Sequence, residues 1–252
     1  MRFRLKAFSL HLLVSASVLT LVLGGLYVGW YRYPGWYLAD AAHIVVLVAA
    51  VDLALGPTLT LIVAHPLKAR GVLARDILAI VSVQAVALVY GAYTLWYGRP
   101  LYYAFSVDRL QVVQASDLSA GKAAARAKDE NGEFAPHWYS LPRWIWAPLP
   151  ENPDEAAKIV QSAVFGGDDV VQMPRYFRSW DRGLEELRKQ LRAVDEWQFL
   201  SRVEKQTLRT RMAQLGIPVD RRNTLIMWGG NRRVLVVFDT GTLHIRVMLR
   251  PD

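Results

Sequence analysis

The residue types that carry catalysis are sparse in this chain and badly spaced for it. The five histidines, His11, His43, His65, His137 and His244, are scattered, and none stands in an H-E-x-x-H arrangement. The chain has no cysteine, which excludes disulfides, thiolate metal sites and a cysteine nucleophile. It also lacks G-x-S-x-G, a Walker loop and G-x-G-x-x-G. "FGGDDVV" offers Asp168 and Asp169 to a metal, although adjacent carboxylates in a glycine-rich turn are more often solvated. "MWGGNRR" could cradle an anion on backbone N–H groups with Arg232 and Arg233, and a hairpin turn with two exposed arginines is the simpler reading. No catalytic residue, metal or cofactor is assigned on these patterns.

Two stretches point to recognition instead. "HWYSLPRWIWAPLP" gathers His137, Trp138, Trp144 and Trp146 among prolines. Such a run makes a partner-contact loop, lies along a membrane interface, or packs beneath a domain. "VDLALGPTLTLIVAHPLK" sets Asp52, Gly56 and Pro57 inside an apolar run. A carboxylate at bilayer depth costs about 2.5–3.5 kcal/mol on insertion scales, so Asp52 is expected to turn toward other helices. Ser17 and Gln84 lie at about its level. Pro57 lacks an N–H and leaves the Leu53 carbonyl free, while Thr58 and Thr60 can bond back to the backbone. Two roles stay open for this polar notch: receiving a partner helix or handling a proton, and fixing the bundle by an internal hydrogen bond.

The elements that position these residues follow from a division of composition. Residues 1–97 hold seven Lys/Arg and three Asp/Glu among long apolar runs, whereas 98–252 carry the remaining 23 and 19, as a soluble domain does. Three runs, at about 7–30, 40–65 and 77–98, are each long enough to cross a bilayer. The first is too long for a signal-peptide core, has no clear A-x-A site, and reads as a retained span. Trp30, Tyr31, Tyr33, Trp36 and Tyr37 follow it, and Trp96 and Tyr97 end the third, in the manner of an interfacial belt. Arg2, Arg4, Lys6, Lys68, Arg70 and Arg75 lie on one side, against Arg32 on the other. The positive-inside rule makes the N-terminus cytoplasmic and residues 99–252 periplasmic in a bacterium. The positive charge, +8 overall, therefore belongs to topology; no sustained basic stripe or nucleic-acid motif accompanies it.

Residues 99–252 read as a small α+β extracytoplasmic domain. "YYAFSV" and "LQVVQA" are two short strands or one bent strand around Asp108-Arg109, and "SDLSAGKAAARAK" is a short helix with Ser116 as its cap candidate. "DENGEFAPHWYSLPRWIWAPLPENP" reads as an irregular loop. Helices are expected from Pro153 to about Phe165, along Leu184, Leu187, Leu191 and Val194, and over "SRVEKQTLRTRMAQLG" up to Gly216. "NTLIMWG", "RRVLVVFDT" and "TLHIRVMLR" form a terminal meander. Gly25-x-x-x-Gly29 matches a close helix-packing pattern.

Taken together, these residues resemble the type IV pilin accessory proteins (the FimB, TfpX and TfpZ group). "VDLALGPTLTLIVAHPLK" is similar to that family's D-x-x-L-G-P-x-x-T-L-I-V-x-x-P-x-K run, and "YYAFSVDRLQVVQASDL" to its F-x-V-D-R-x-x-V-V-x-A-x-D-L stretch. Three spans before an extracytoplasmic domain is also the family layout. The resemblance implies a multi-pass inner-membrane protein that helps a cognate major pilin to be stabilised or assembled, as a chaperone would. Asp52, Gly56, Pro57, Asp108 and Arg109 fall in its motifs with no catalytic role attached. The implied partner is the pilin, through its membrane helix and periplasmic head, with the lipid bilayer around the spans. Two weak contacts on one partner reinforce each other through effective concentration. The rival reading is a membrane enzyme modifying pilin or a lipid-linked substrate at the periplasmic face, drawing on Asp52, His137 and the Asp168/Asp169 pair.

Overall fold

The computed structural model describes residues 1–118 and 133–251 and divides into two compact units. Unit one comprises residues 1–32 and 40–99; unit two comprises 33–39 and 100 onward.

Unit one holds three helices long and apolar enough to cross a membrane: α1 (Arg2–Gly29), the stretch Ala42–Val63, and α5 (Arg70–Tyr97). Their outer surfaces are apolar, with Leu13, Leu21, Val46 and Val86 all exposed. What they bury includes Asp52, Thr60 and Gln84. That inversion suits lipid, where apolar side chains gain nothing by facing inward and polar ones gain partners. The middle stretch is not one regular helix. It consists of α3 (Ala42–Ala49), a π-helical turn over Ala50–Leu55, and α4 (Gly56–Val63). The Gly56 N–H reaches back five residues to the Val51 carbonyl, and Pro57 falls in the first turn of α4, where its missing N–H is harmless. Beyond α1 and α5, the Tyr31 hydroxyl donates to the Leu95 carbonyl at 2.6 Å. The Arg99 guanidinium lies 4.2 Å from the Trp96 ring and 5.8 Å from that of Trp30.

Among the described residues, unit two is built on a seven-stranded mixed sheet in the order β4-β3-β1-β2-β5-β6-β7. The strands are β1 (Pro100–Ser106), β2 (Arg109–Gln114), β3 (Arg143–Trp146), β4 (Arg178–Ser179), β5 (Thr224–Gly229), β6 (Arg232–Phe238) and β7 (Ile245–Leu249). β1 runs antiparallel to β2 and parallel to β3, β2 is parallel to β5, and β5 to β7 form the meander. Every residue of β1 is buried, so its run reads as continuous rather than alternating, as expected for a strand covered on both faces. Tyr103 and Phe105 point into one core with β5, β6, α7 (Leu184–Gln190) and α8 (Arg202–Gln214). Tyr102 and Ala104 point into the other, with Ile145, Phe177 and Ile159 of α6 (Pro153–Val164). Asn152 caps α6, accepting from the Asp154 and Glu155 N–H groups. A Ser201/Glu204 capping box opens α8, and Gly216 follows it at φ +65°.

Several expectations need correction. "RWIW" lies not in an irregular loop but in β3, paired with β1. The helix expected through Val194 stops at Gln190, because the Arg192 N–H and carbonyl pair with Thr224. Leu191 and Val194 still reach the core that their spacing indicated. The helix after Ser116 is a 3-10 turn over Ala115–Leu118 as far as it is described; the rest of "SDLSAGKAAARAK" lies outside the described residues.

The loop between the first two apolar helices belongs to unit two. α2 (Gly35–Leu38) buries Leu38 in the core with β5 and β6. A Cβ on Gly229 would stand 2.6 Å from the Leu38 carbonyl oxygen, so only glycine lets the two backbones meet there. The Tyr33 hydroxyl donates to the Met248 carbonyl at 3.0 Å, and Arg232 and Arg250 lie over the Tyr37 ring. Burial pushes the Tyr103 hydroxyl up to about 12, against a backbone hydrogen bond from Gly35. Tyr33 and Tyr37 thus act within the folded unit.

Candidate functional site: a polar chain within the apolar helices

Within unit one, three helices contribute to one hydrogen-bonded chain. The His11 Nε2 is 2.7 Å from Gln84 Oε1 and its Nδ1 is 2.6 Å from Thr60 Oγ1; Gln84 Nε2 is 3.1 Å from the Asp52 carbonyl oxygen. An amide oxygen only accepts, so His11 Nε2 donates to Gln84, while Nδ1 and the Thr60 hydroxyl share one hydrogen bond. Thr60 is bonded to His11, His11 donates to Gln84, and Gln84 donates to Asp52. The chain ends on Asp52. Asp52 as a residue is 4% exposed, and its carboxyl group is also engaged by Gln84.

Gly56 makes room for this arrangement, since a Cβ there would collide with the Gln84 amide. The π turn places Asp52 on the face that meets α5. The result is a cavity of about 360 Å³ between α1 and α5, apolar on its walls, with Asp52, Thr60, His11 and Gln84 on its floor. Gln84 joins the site as its level indicated. Ser17 does not: its hydroxyl donates to Leu13 O, four residues back on its own helix. Thr60 bonds His11 rather than the backbone. His11 had passed as one of five scattered histidines. Its signal was its place on the first span, about nine residues inside the basic end.

The remaining residues singled out by sequence divide. Trp138 is 70% exposed, with Tyr139 and Leu141 exposed beside it, and the His137 ring stacks on Tyr139. Trp144 and Trp146 instead pack against the core; Trp144 meets Tyr103 at 5.0 Å and Trp180 at 5.1 Å between ring centroids. Arg109 pairs with Asp169 at 3.6 Å, and Asp169 caps a 3-10 turn at Val170–Gln172. Arg233 is half-buried on Glu204 at 2.6 Å, so the arginines of "MWGGNRR" are engaged rather than exposed. Gly25 and Gly29 face open space.

Asp108 is exposed in the β1–β2 turn beside Val107, which holds φ +53°. That left-handed conformation strains a β-branched residue by roughly 1–2 kcal/mol. Val107→Gly is expected to raise the stability of unit two by about 1 kcal/mol, read as a higher denaturant midpoint with unchanged slope.

Comparison with known proteins bears on this geometry. The serogroup I fimbrial assembly protein of Dichelobacter nodosus is 26% identical over 189 residues, covering 74% of this chain and 71% of that protein. The serogroup E1 protein is 25% identical over the same shares. The chain is similar to fimbrial assembly proteins. A shorter relative, the fimbrial assembly protein of serogroups C1 and C2, is 28% identical over 116 residues, 46% of this chain and 88% of that protein. No described family and no solved structure matches the chain. The likeness to fimbrial assembly proteins agrees with the resemblance that the Asp52 and Asp108 motifs carry. It joins a polar-floored groove to a chain whose relatives are named for assembly rather than for a reaction.

Proposed function

We propose that the protein is an inner-membrane accessory factor of type IV pilus biogenesis that binds a cognate pilin and promotes its stability or assembly. The observation that carries this reading is the groove over Asp52 in a chain similar to fimbrial assembly proteins over about three quarters of its length. A pilin before assembly is a globular head on one apolar helix. The groove is a seat for such a helix, and the exposed His137–Leu141 stretch is a surface for the head. Neither contact need be strong, because each raises the effective concentration of the other.

Positive-inside reasoning puts the N-terminus in the cytoplasm and unit two in the periplasm. The folding of residues 33–39 with residues 100–251 supports a shared side for that loop and the C-terminal unit. A membrane enzyme is less favoured, since Asp169 serves as a cap and an ion-pair partner of Arg109. The test is deletion of the gene with pilin abundance and surface pili measured separately, followed by complementation. At least one is expected to fall and to recover; unchanged values for both would refute the proposal.

A further inference from the structure

The groove has two walls of the same construction. On α1 the lining includes a row of Ala7, His11, Val14 and Val18, beside Leu10 and Ser15; on α5 it includes a row of Ile77, Val81, Gln84 and Leu88, beside Ala85. Both sets are spaced four, three and four residues apart. This is the spacing with which a helix presents one face to a packed neighbour. Each row spans twelve residues, a rise of about 16 Å. Two parallel ridges of equal length and period make a trough for a third helix.

The floor supplies the chemistry. Since each donor of the Thr60–His11–Gln84–Asp52 chain is used within it, the groove offers no free N–H at that level. It offers acceptor capacity, because a carboxyl group has more lone pairs than Gln84 can engage. An acyl chain fits the walls but leaves the carboxyl without a complement, which is costly at this depth.

We infer that the groove takes one membrane-spanning helix of a partner protein, and that this helix carries an N–H or O–H side chain at the level of Asp52. Identifying that partner with the pilin rests on the function proposed above; the chemistry of the seat does not. The donor selects among apolar helices that the walls alone would treat alike, as a polar group buried in lipid discriminates by what it leaves unpaired.

The full chain is tested in host membranes that also make the pilin, with a photo-crosslinking phenylalanine at Val14 or Val81. Leu13 and Val83, which are exposed and outside the groove, serve as controls. Adducts with a single-span protein are expected from the groove positions and not from the controls. Asp52→Leu should lower their yield by about three- to thirtyfold, the worth of one interhelical hydrogen bond, while Asp52→Asn, which keeps an acceptor, should retain them. Ala85→Trp fills the groove without touching the chain and should abolish them even if Asp52→Leu fails to accumulate. Adducts only with lipid, or with a second copy of this chain, would overturn the inference. So would wild-type yield in both Asp52→Leu and Ala85→Trp. If pilin co-purifies with the full chain while the groove positions give no adduct, the seat is wrong and the pilin-binding role stands.

Discussion

Truncating Leu38 to alanine is expected to destabilise unit two by about 2–5 kcal/mol, although Leu38 lies on a short loop between two apolar helices. Leu38 is 1% exposed and sits in the core with Leu225, Val236 and Phe238. The substitution removes buried methyl groups and leaves a cavity that the closely paired β5 and β6 cannot collapse to fill. Gly229→Val approaches the same contact from the other side. Its side chain would enter the Leu38 backbone, costing about 1–3 kcal/mol by overpacking. The two effects should be non-additive, since either one alone displaces the loop. Denaturation of the full chain in detergent, followed by tryptophan fluorescence, measures both. A Leu38→Ala midpoint equal to that of the parent would show that the loop does not belong to the core.

The second large effect is in unit one. Gln84→Leu should destabilise the helices by about 1–3 kcal/mol for each partner left unmatched. The His11 N–H loses its acceptor and the Asp52 carbonyl loses its donor. Replacing His11 and Gln84 together by leucine removes both ends of their bond. The double variant should recover only the part of the loss that comes from the stranded His11 N–H, while the Asp52 carbonyl stays unmatched and Thr60 loses its partner. This separates the two roles open to the polar notch. If the double variant accumulates in the membrane as the parent does yet fails to restore surface pili, the polar chain serves the partner. If it restores them, the chain serves the bundle.

The three apolar helices were legible because length and composition alone decide them. So was the turn of Asp52 toward other helices, because lipid leaves a carboxylate few choices. Counting depth found Gln84 but chose Ser17 over His11. A serine on a helix can satisfy itself on its own backbone, as Ser17 does, while an imidazole must reach elsewhere. In unit two, β1 and the meander were readable from their apolar runs. β3 was not, since "RWIW" is short and hedged by prolines, and its pairing with β1 is a parallel contact between segments remote in sequence. α7 was overextended because Leu191 and Val194 continue the helical spacing, and tertiary pairing of Arg192 outweighed it. The folding of residues 33–39 into unit two had no local signal; aromatic residues beside a span look alike whether they meet headgroups or a protein core.

The π turn at Ala50–Leu55 has a consequence for length variation. An α-helix turns about 100° per residue, so Asp52 and Thr60, eight apart, would stand about 80° out of phase in a regular helix. Both line the same groove because the wide turn takes up that difference. The stretch therefore carries one residue beyond what a regular helix with the same face requires. Loss of one residue between Asp52 and Gly56 would leave a plain α-helix with the two side chains seven apart, still on one face. Gain of one would swing them away from each other. Tolerance to insertion and deletion at this point is thus one-sided.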